Sequence, residues 1–214
     1  MNPSQAVLDR RASALCAMAA VAGNILGVVL LGPVRLPYRL SGLEQGTWWL
    51  DGLAHPGAVT ASAWFFVAGL TALGLWALRA AQRFGPGPAW YGSVLLAFGS
   101  FADALGSLLP WVAASRLGPG DAALGGALLS TALAVDSFFN VTLALGLPLI
   151  AWGLRRQFRV PAGLWVLALL GGFFSLVPSF EIIWDFAALG LLISSPCWLA
   201  FFLWVGIRQV NHDF

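Results

Sequence analysis

Six long apolar stretches run through the 214 residues, near 12–32, 58–78, 90–113, 126–153, 162–179 and 183–207. A helix of roughly 20 apolar residues crosses a hydrocarbon core of about 30 Å. The stretches leave little chain for a soluble domain, and 59% hydrophobic against 9% charged residues points the same way. The expected architecture is all-α: a single integral membrane domain over 1–214, built as a bundle of six transmembrane helices. One longer outer loop is expected at about 33–57. The fourth run is longer than a perpendicular helix needs, so tilt or an extension beyond the core is expected.

The arginines orient this bundle. Arg10, Arg11, Arg79, Arg83, Arg155, Arg156, Arg159 and Arg208 fall on the N-terminal tail, the even connections and the C-terminal tail. The other side carries Arg35, Arg39 and Arg116, together with Glu44, Asp51 and Asp121. Positive charge stays on the cytoplasmic side, so both termini are expected to be cytoplasmic in a multi-pass protein of a bacterial inner membrane. The first stretch follows Arg10 and Arg11 as a secretory signal would, but its apolar run is too long and no small-residue cleavage site follows. It reads as a retained helix. Every one of the 11 basic residues is Arg, which suits GC-rich coding better than any chemistry.

Tryptophan suits the same boundaries, because its ring enters lipid while its N–H reaches water. Trp48, Trp49, Trp111 and Trp184 are expected at the outer boundary, and Trp76, Trp90, Trp152, Trp165 and Trp204 at the inner one. Trp64 and Trp198 are expected deeper. In the outer loop, Leu43, Trp48, Trp49, Leu50 and Leu53 could form a segment lying on the membrane surface. Gly85-Pro86-Gly87-Pro88 and Gly118-Pro119-Gly120 read as plain turns, and the two halves of the chain show no repeat.

Asp103 and Asp136 are the sharpest polar features, each interrupting an apolar helix. A charged Asp at a helix centre costs roughly 2.5–3.5 kcal/mol on insertion scales, so both are expected to face the bundle interior. Asn140 lies four residues after Asp136 on the same helical face, and Asn24 sits mid-way along the first stretch. Ser100, Ser107, Ser130, Thr131 and Ser137 add hydroxyls nearby in sequence. The intramembrane polar core is thus expected to be Asp103, Asp136, Asn140 and Asn24. It could be a proton- or cation-linked site or a set of interhelical hydrogen bonds, which average only about 0.6 kcal/mol each.

Glu181 and Asp185 are outer carboxylates spaced i, i+4 at the start of the last helix. Carboxylates are favoured at a helix N-terminus, so capping is their first explanation and an outward-facing cation site their second. Pro148 and Pro196 interrupt apolar helices and could kink them or leave carbonyls unpaired. Gly23, Gly27, Gly171 and Gly172 permit close helix packing, within one chain or in a homo-oligomer.

No catalytic residue, metal site or cofactor motif is expected. His55 and His212 are the two histidines, and there is no HExxH, no Gly-x-Ser-x-Gly and no phosphate-binding glycine loop. Cys16 and Cys197 lie in apolar stretches, which argues against a disulfide framework. A net charge of +2 spread over short connections argues against nucleic acid binding.

The segment from Phe138-Phe139-Asn140 through Leu154-Arg155-Arg156, then Val160-Pro161 and the Gly171-Gly172 helix, resembles the C-terminal half of an uncharacterised bacterial family of small polytopic membrane proteins. In that family a helix ending in a basic turn is followed by a proline and a glycine-containing helix. Size and topology are also similar to multi-pass membrane anti-sigma factors. Three readings follow, in order. The first is a regulatory or sensing protein that holds a soluble cytoplasmic partner, such as a sigma factor, on Arg155, Arg156, Arg159, Arg79 and Arg83. The second is a small proton- or cation-coupled transporter using the buried aspartates, and the third a lipid-modifying enzyme.

Overall fold

Proline and glycine set several helix limits. The computed structural model describes residues 3–31, 54–157, 161–180 and 189–210. Helix α1 spans Pro3–Leu31, α2 Pro56–Phe84, α3 Pro88–Gly106, α4 Leu108–Arg116, α5 Ala122–Gln157, α6 Ala162–Ser175 and α7 Leu189–Val210. Pro56 and Pro88 occupy the first turns of α2 and α3, where a missing N–H costs nothing. Between those helices Gly85 and Gly87 adopt φ of 65° and 150°, conformations that residues with a Cβ rarely take. No strand occurs among the described residues.

Two boundaries differ from the hydropathy reading, and proline explains both. The third stretch is broken into α3 and α4 at Ser107. Pro110 has no N–H to offer the Gly106 carbonyl one turn earlier, and its ring crowds that carbonyl. The fifth stretch ends as a helix at Ser175, followed by a 3-10 turn over Pro178–Phe180. Pro178 likewise cannot donate to Phe174. The outer-loop surface segment, Arg159, Glu181 and Asp185 lie outside the described residues.

Among the described residues, four segments are long and apolar enough to cross a membrane: Leu8–Leu30, Pro56–Phe84, Pro88–Arg116 and Ala123–Gln157. Helix α6 is a shorter apolar helix of 14 residues. The 36 residues of α5 reach roughly 54 Å, well beyond a hydrocarbon core. Large apolar side chains cover the outside, with Phe98, Leu105, Phe173 and Leu192 each about two-thirds exposed or more. A water-soluble surface does not carry so much exposed apolar bulk, whereas a lipid-facing one requires it.

The helices close into a ring in chain order. Each of α1, α2, α3, α5, α6 and α7 packs on the next, and α7 returns to α1. Helix α4 lies against α2 and α5. Successive members run antiparallel: Gly23 of α1 meets Gly69 of α2, Ser62 donates to the Gly27 carbonyl at 2.8 Å, and Arg79 donates to the Asp9 carbonyl at 3.4 Å. The interior is filled by Leu70, Leu73, Trp76, Leu96, Leu143, Leu147, Ile150, Phe201 and Phe202. Trp76 corrects an expectation. It is 1% exposed, packs edge-on to Phe202 at 5.0 Å and donates to Gln209 Oε1 at 3.3 Å, so it is core and not a boundary anchor.

Small residues let the ring close. A Cβ placed on Gly92 would sit 2.7 Å from the Gly146 carbonyl oxygen, and one on Gly146 would sit 2.7 Å from that of Gly92. Both obstacles are backbone and cannot swing aside. Gly172 packs into the notch beside Pro148, 3.0 Å from its ring and from the Ala144 carbonyl, by the same measure. Pro148 leaves that carbonyl without its usual N–H partner, so the close glycine helps shield it. Gly146→Ala should therefore lower unfolding stability in detergent by about 1–3 kcal/mol. Gly126→Ala on the same helix, where a Cβ meets nothing within 4 Å, should be neutral or mildly stabilising. Denaturant titration followed by circular dichroism reads both.

Candidate functional site

The site grows out of a heptad repeat within α3. Gly92-Ser93, Gly99-Ser100 and Gly106-Ser107 recur every seven residues. A seven-residue period keeps one stripe of a helix facing one partner along its length. The partner is α5. Ala89 meets Gly153, Gly92 meets Gly146, Gly99 meets Thr142 and Gly106 meets Val135. Each step up α3 is matched by a step down α5.

Asp103 belongs to this seam, seven residues after Leu96 and fourteen after Ala89. It is 8% exposed, and Gly106, three residues on, meets Val135, the neighbour of Asp136 on α5. Asn140, 3% exposed, donates from Nδ2 to Asp136 Oδ2 at 2.9 Å. That bond fixes the amide orientation and leaves Asn140 Oδ1 as a further acceptor. Three of the four residues expected in the polar core therefore converge. Asn24 does not join them: it lies at the α1–α2 crossing against Gly69 and donates to the Ala20 carbonyl at 2.8 Å.

The neighbouring hydroxyls stay on their own helices. Ser100 donates to the Leu96 carbonyl, Ser107 to Asp103, Thr131 to Ala127 and Thr142 to Phe139. Such bonds back to the preceding turn satisfy a buried hydroxyl without linking helices. Ser130 and Thr131 are exposed, away from the carboxyl pair.

This arrangement has a definite electrostatic character. Two negative charges side by side in a weakly polarisable interior repel strongly, and moving either from water is costly. Among the described residues the basic side chains occupy helix ends, and none is a partner of this pair. The two carboxyls and the Asn140 amide oxygen offer acceptor atoms with no basic side chain beside them among the described residues. No group of three or more His, Cys, Asp or Glu is assembled among the described residues.

Of the arginines expected to form a partner surface, Arg79, Arg83, Arg155 and Arg156 lie toward the ends of α2 and α5. Arg155 lies over the Trp165 ring at 5.7 Å and Arg156 over Trp152 at 5.1 Å. Arg79 binds the Asp9 carbonyl, and Arg83 sits near Asp9, Arg10 and Arg79. Cys16 and Cys197 are free thiols. Trp64 is 52% exposed and packs on Trp111 at 5.8 Å.

No known family model, curated protein or solved structure matches this chain. The site must therefore be read from its own chemistry. The feature missed in the sequence is the Gly-Ser heptad, which was visible as three pairs at equal spacing. It points to the helix face on which Asp103 lies.

Removing the Asn140 amide should leave Asp136 without its hydrogen bond. Asn140→Ala is expected to cost about 0.6–1.7 kcal/mol in denaturant unfolding, the range for polar pairs within membrane bundles. An unchanged midpoint and slope would show that the bond contributes nothing.

Proposed function

We propose that the chain is a six-span inner-membrane protein with both termini cytoplasmic, and that Asp103, Asp136 and Asn140 form the ion-handling site of a small proton- or cation-coupled transporter. The observation that carries this reading is the placement of buried Asp103 in the α3–α5 seam, where Gly106 meets Val135 next to Asp136 and Asn140 donates to Asp136 Oδ2. Ionisable residues at membrane depth are costly, and pairs of them commonly mark ion or proton paths. A carboxyl pair next to a fixed amide can take up and release one positive charge with little rearrangement of the backbone.

The prolines suit the same role. Pro148 and Pro196 each interrupt an apolar helix, and interrupted helices commonly line transport sites near the midplane. Alternate placement of the arginines supports the six-span orientation. A regulatory protein holding a soluble cytoplasmic partner is the second reading. It rests on arginines whose alternate placement is already explained by membrane orientation. Nothing about the site favours a lipid-modifying enzyme.

The experiment is flux into proteoliposomes under an imposed pH or cation gradient, read with a proton-sensitive dye and with sodium and potassium indicators. Wild-type protein should dissipate at least one gradient. Asp103→Asn with Asp136→Asn should reduce that flux at least about tenfold, which is one protonation-linked step of about 1.4 kcal/mol. A wild-type protein that is helical and monodisperse yet moves no cation would remove the transporter reading. Co-purification of a stoichiometric soluble protein would then favour the regulatory one.

A further inference from the structure

The other polar constellation lies at the end of α5 and the start of α6, and it is independent of the carboxyl pair. Arg156, Trp152, Trp165 and Arg155 form a continuous stack. Arg156 Cζ lies 5.1 Å from the Trp152 ring, Trp152 meets Trp165 edge-on at 6.0 Å, and Arg155 Cζ lies 5.7 Å from the Trp165 ring. Both guanidinium groups are exposed, and among the described residues neither has a carboxylate or hydrogen-bond acceptor. A guanidinium held over an aromatic ring still has N–H donors for an oxyanion.

Trp165 supplies a second, separate observation. Its indole N–H is covered by protein atoms and has no acceptor. A buried donor left without a partner is expensive, and most are satisfied. The exposed Arg155 guanidinium lies over the ring of this same residue. Helix α6 begins next to it, after Pro161, without a side-chain cap. The first-turn N–H groups of Ala162 and Gly163 therefore also lack a helical partner. Arginines at the end of α5 complement that helix's dipole, but this does not satisfy Trp165.

We propose that this corner binds the phosphate of an anionic phospholipid. Charge and donors would suit any phosphate. The apolar surroundings select a lipid: Val166, Leu169 and Phe173 continue along α6 from Trp165 and are 53%, 48% and 66% exposed. An acyl chain attached to a phosphate held at Trp165 would lie along that track. Basic pockets between membrane helices bind anionic headgroups on the same physical grounds.

The test uses the purified full chain in a neutral detergent, titrated with phosphatidylglycerol or phosphatidylcholine of identical chains and read by native mass spectrometry. Phosphatidylglycerol should bind one-to-one and in clear preference, with inorganic phosphate failing to displace it. Trp165→Phe keeps the ring and every charge but removes the donor; it should weaken binding roughly tenfold, the loss of one charge-assisted hydrogen bond. Arg155→Gln with Arg156→Gln should weaken it further, while circular dichroism stays that of the wild type. Equal binding of the two lipids overturns the proposal. So does wild-type affinity in Trp165→Phe, and displacement by inorganic phosphate would assign the corner to a soluble phosphate instead.

Discussion

The contact on which the bundle most depends is the approach of two bare backbones, Gly92 on α3 and Gly146 on α5. Each carbonyl occupies the space where the other residue's Cβ would be, so no side chain can separate the helices there. In lipid the hydrophobic effect does not drive helices together, and close packing with weak C–H···O contacts carries more of the association. The heptad of small residues carries this closeness along the full seam. It also decides what else may sit there. Asp103 lies in the same register, so the packing that joins the helices brings its carboxyl to Asp136.

That coupling of packing to charge gives the molecule a fixed core with one electrostatically uneasy point. Several other polar groups are settled by hydroxyls bonded to the previous turn or by Trp76 and Gln209 joined across α2 and α7. The carboxyl pair is different in having no basic partner among the described residues. Polar interruptions of this kind persist in membrane helices chiefly where they do something. The arginine–tryptophan corner differs again: its donors sit at a helix end beside lipid-facing surface, where a headgroup can supply the missing acceptor.

Much of the helical architecture was legible from hydropathy, because a span of apolar residues has few alternatives in a membrane. The failures were local. Pro110 and Pro178 were in plain view but were not weighed as breaks, since the apolar run continues past both. Trp76 looked like a boundary residue by position along its helix; its burial depends on Phe202 and Gln209, far away in sequence. Within the site, Asp136 and Asn140 could be paired from their i, i+4 spacing alone. Asp103 could not be assigned to them without knowing which helix α3 faces. The Gly-Ser heptad carried half of that answer, marking the face; the identity of the partner required the three-dimensional packing. Asn24 shows the converse: a residue equally conspicuous in sequence that the ring sets at a different crossing.

Asp103 and Asp136 are proposed to act as one electrostatic unit within the seam. A double-mutant cycle over Asp103→Asn and Asp136→Asn, measured by unfolding in lipid-like micelles at fixed pH and salt, tests it most directly. Removing either carboxyl relieves the same interaction, so the second substitution should repeat little of the effect of the first. The account predicts a coupling energy of at least about 0.5 kcal/mol. Strict additivity, with both single variants folded and the double variant equal to their sum within about 0.3 kcal/mol, would contradict it.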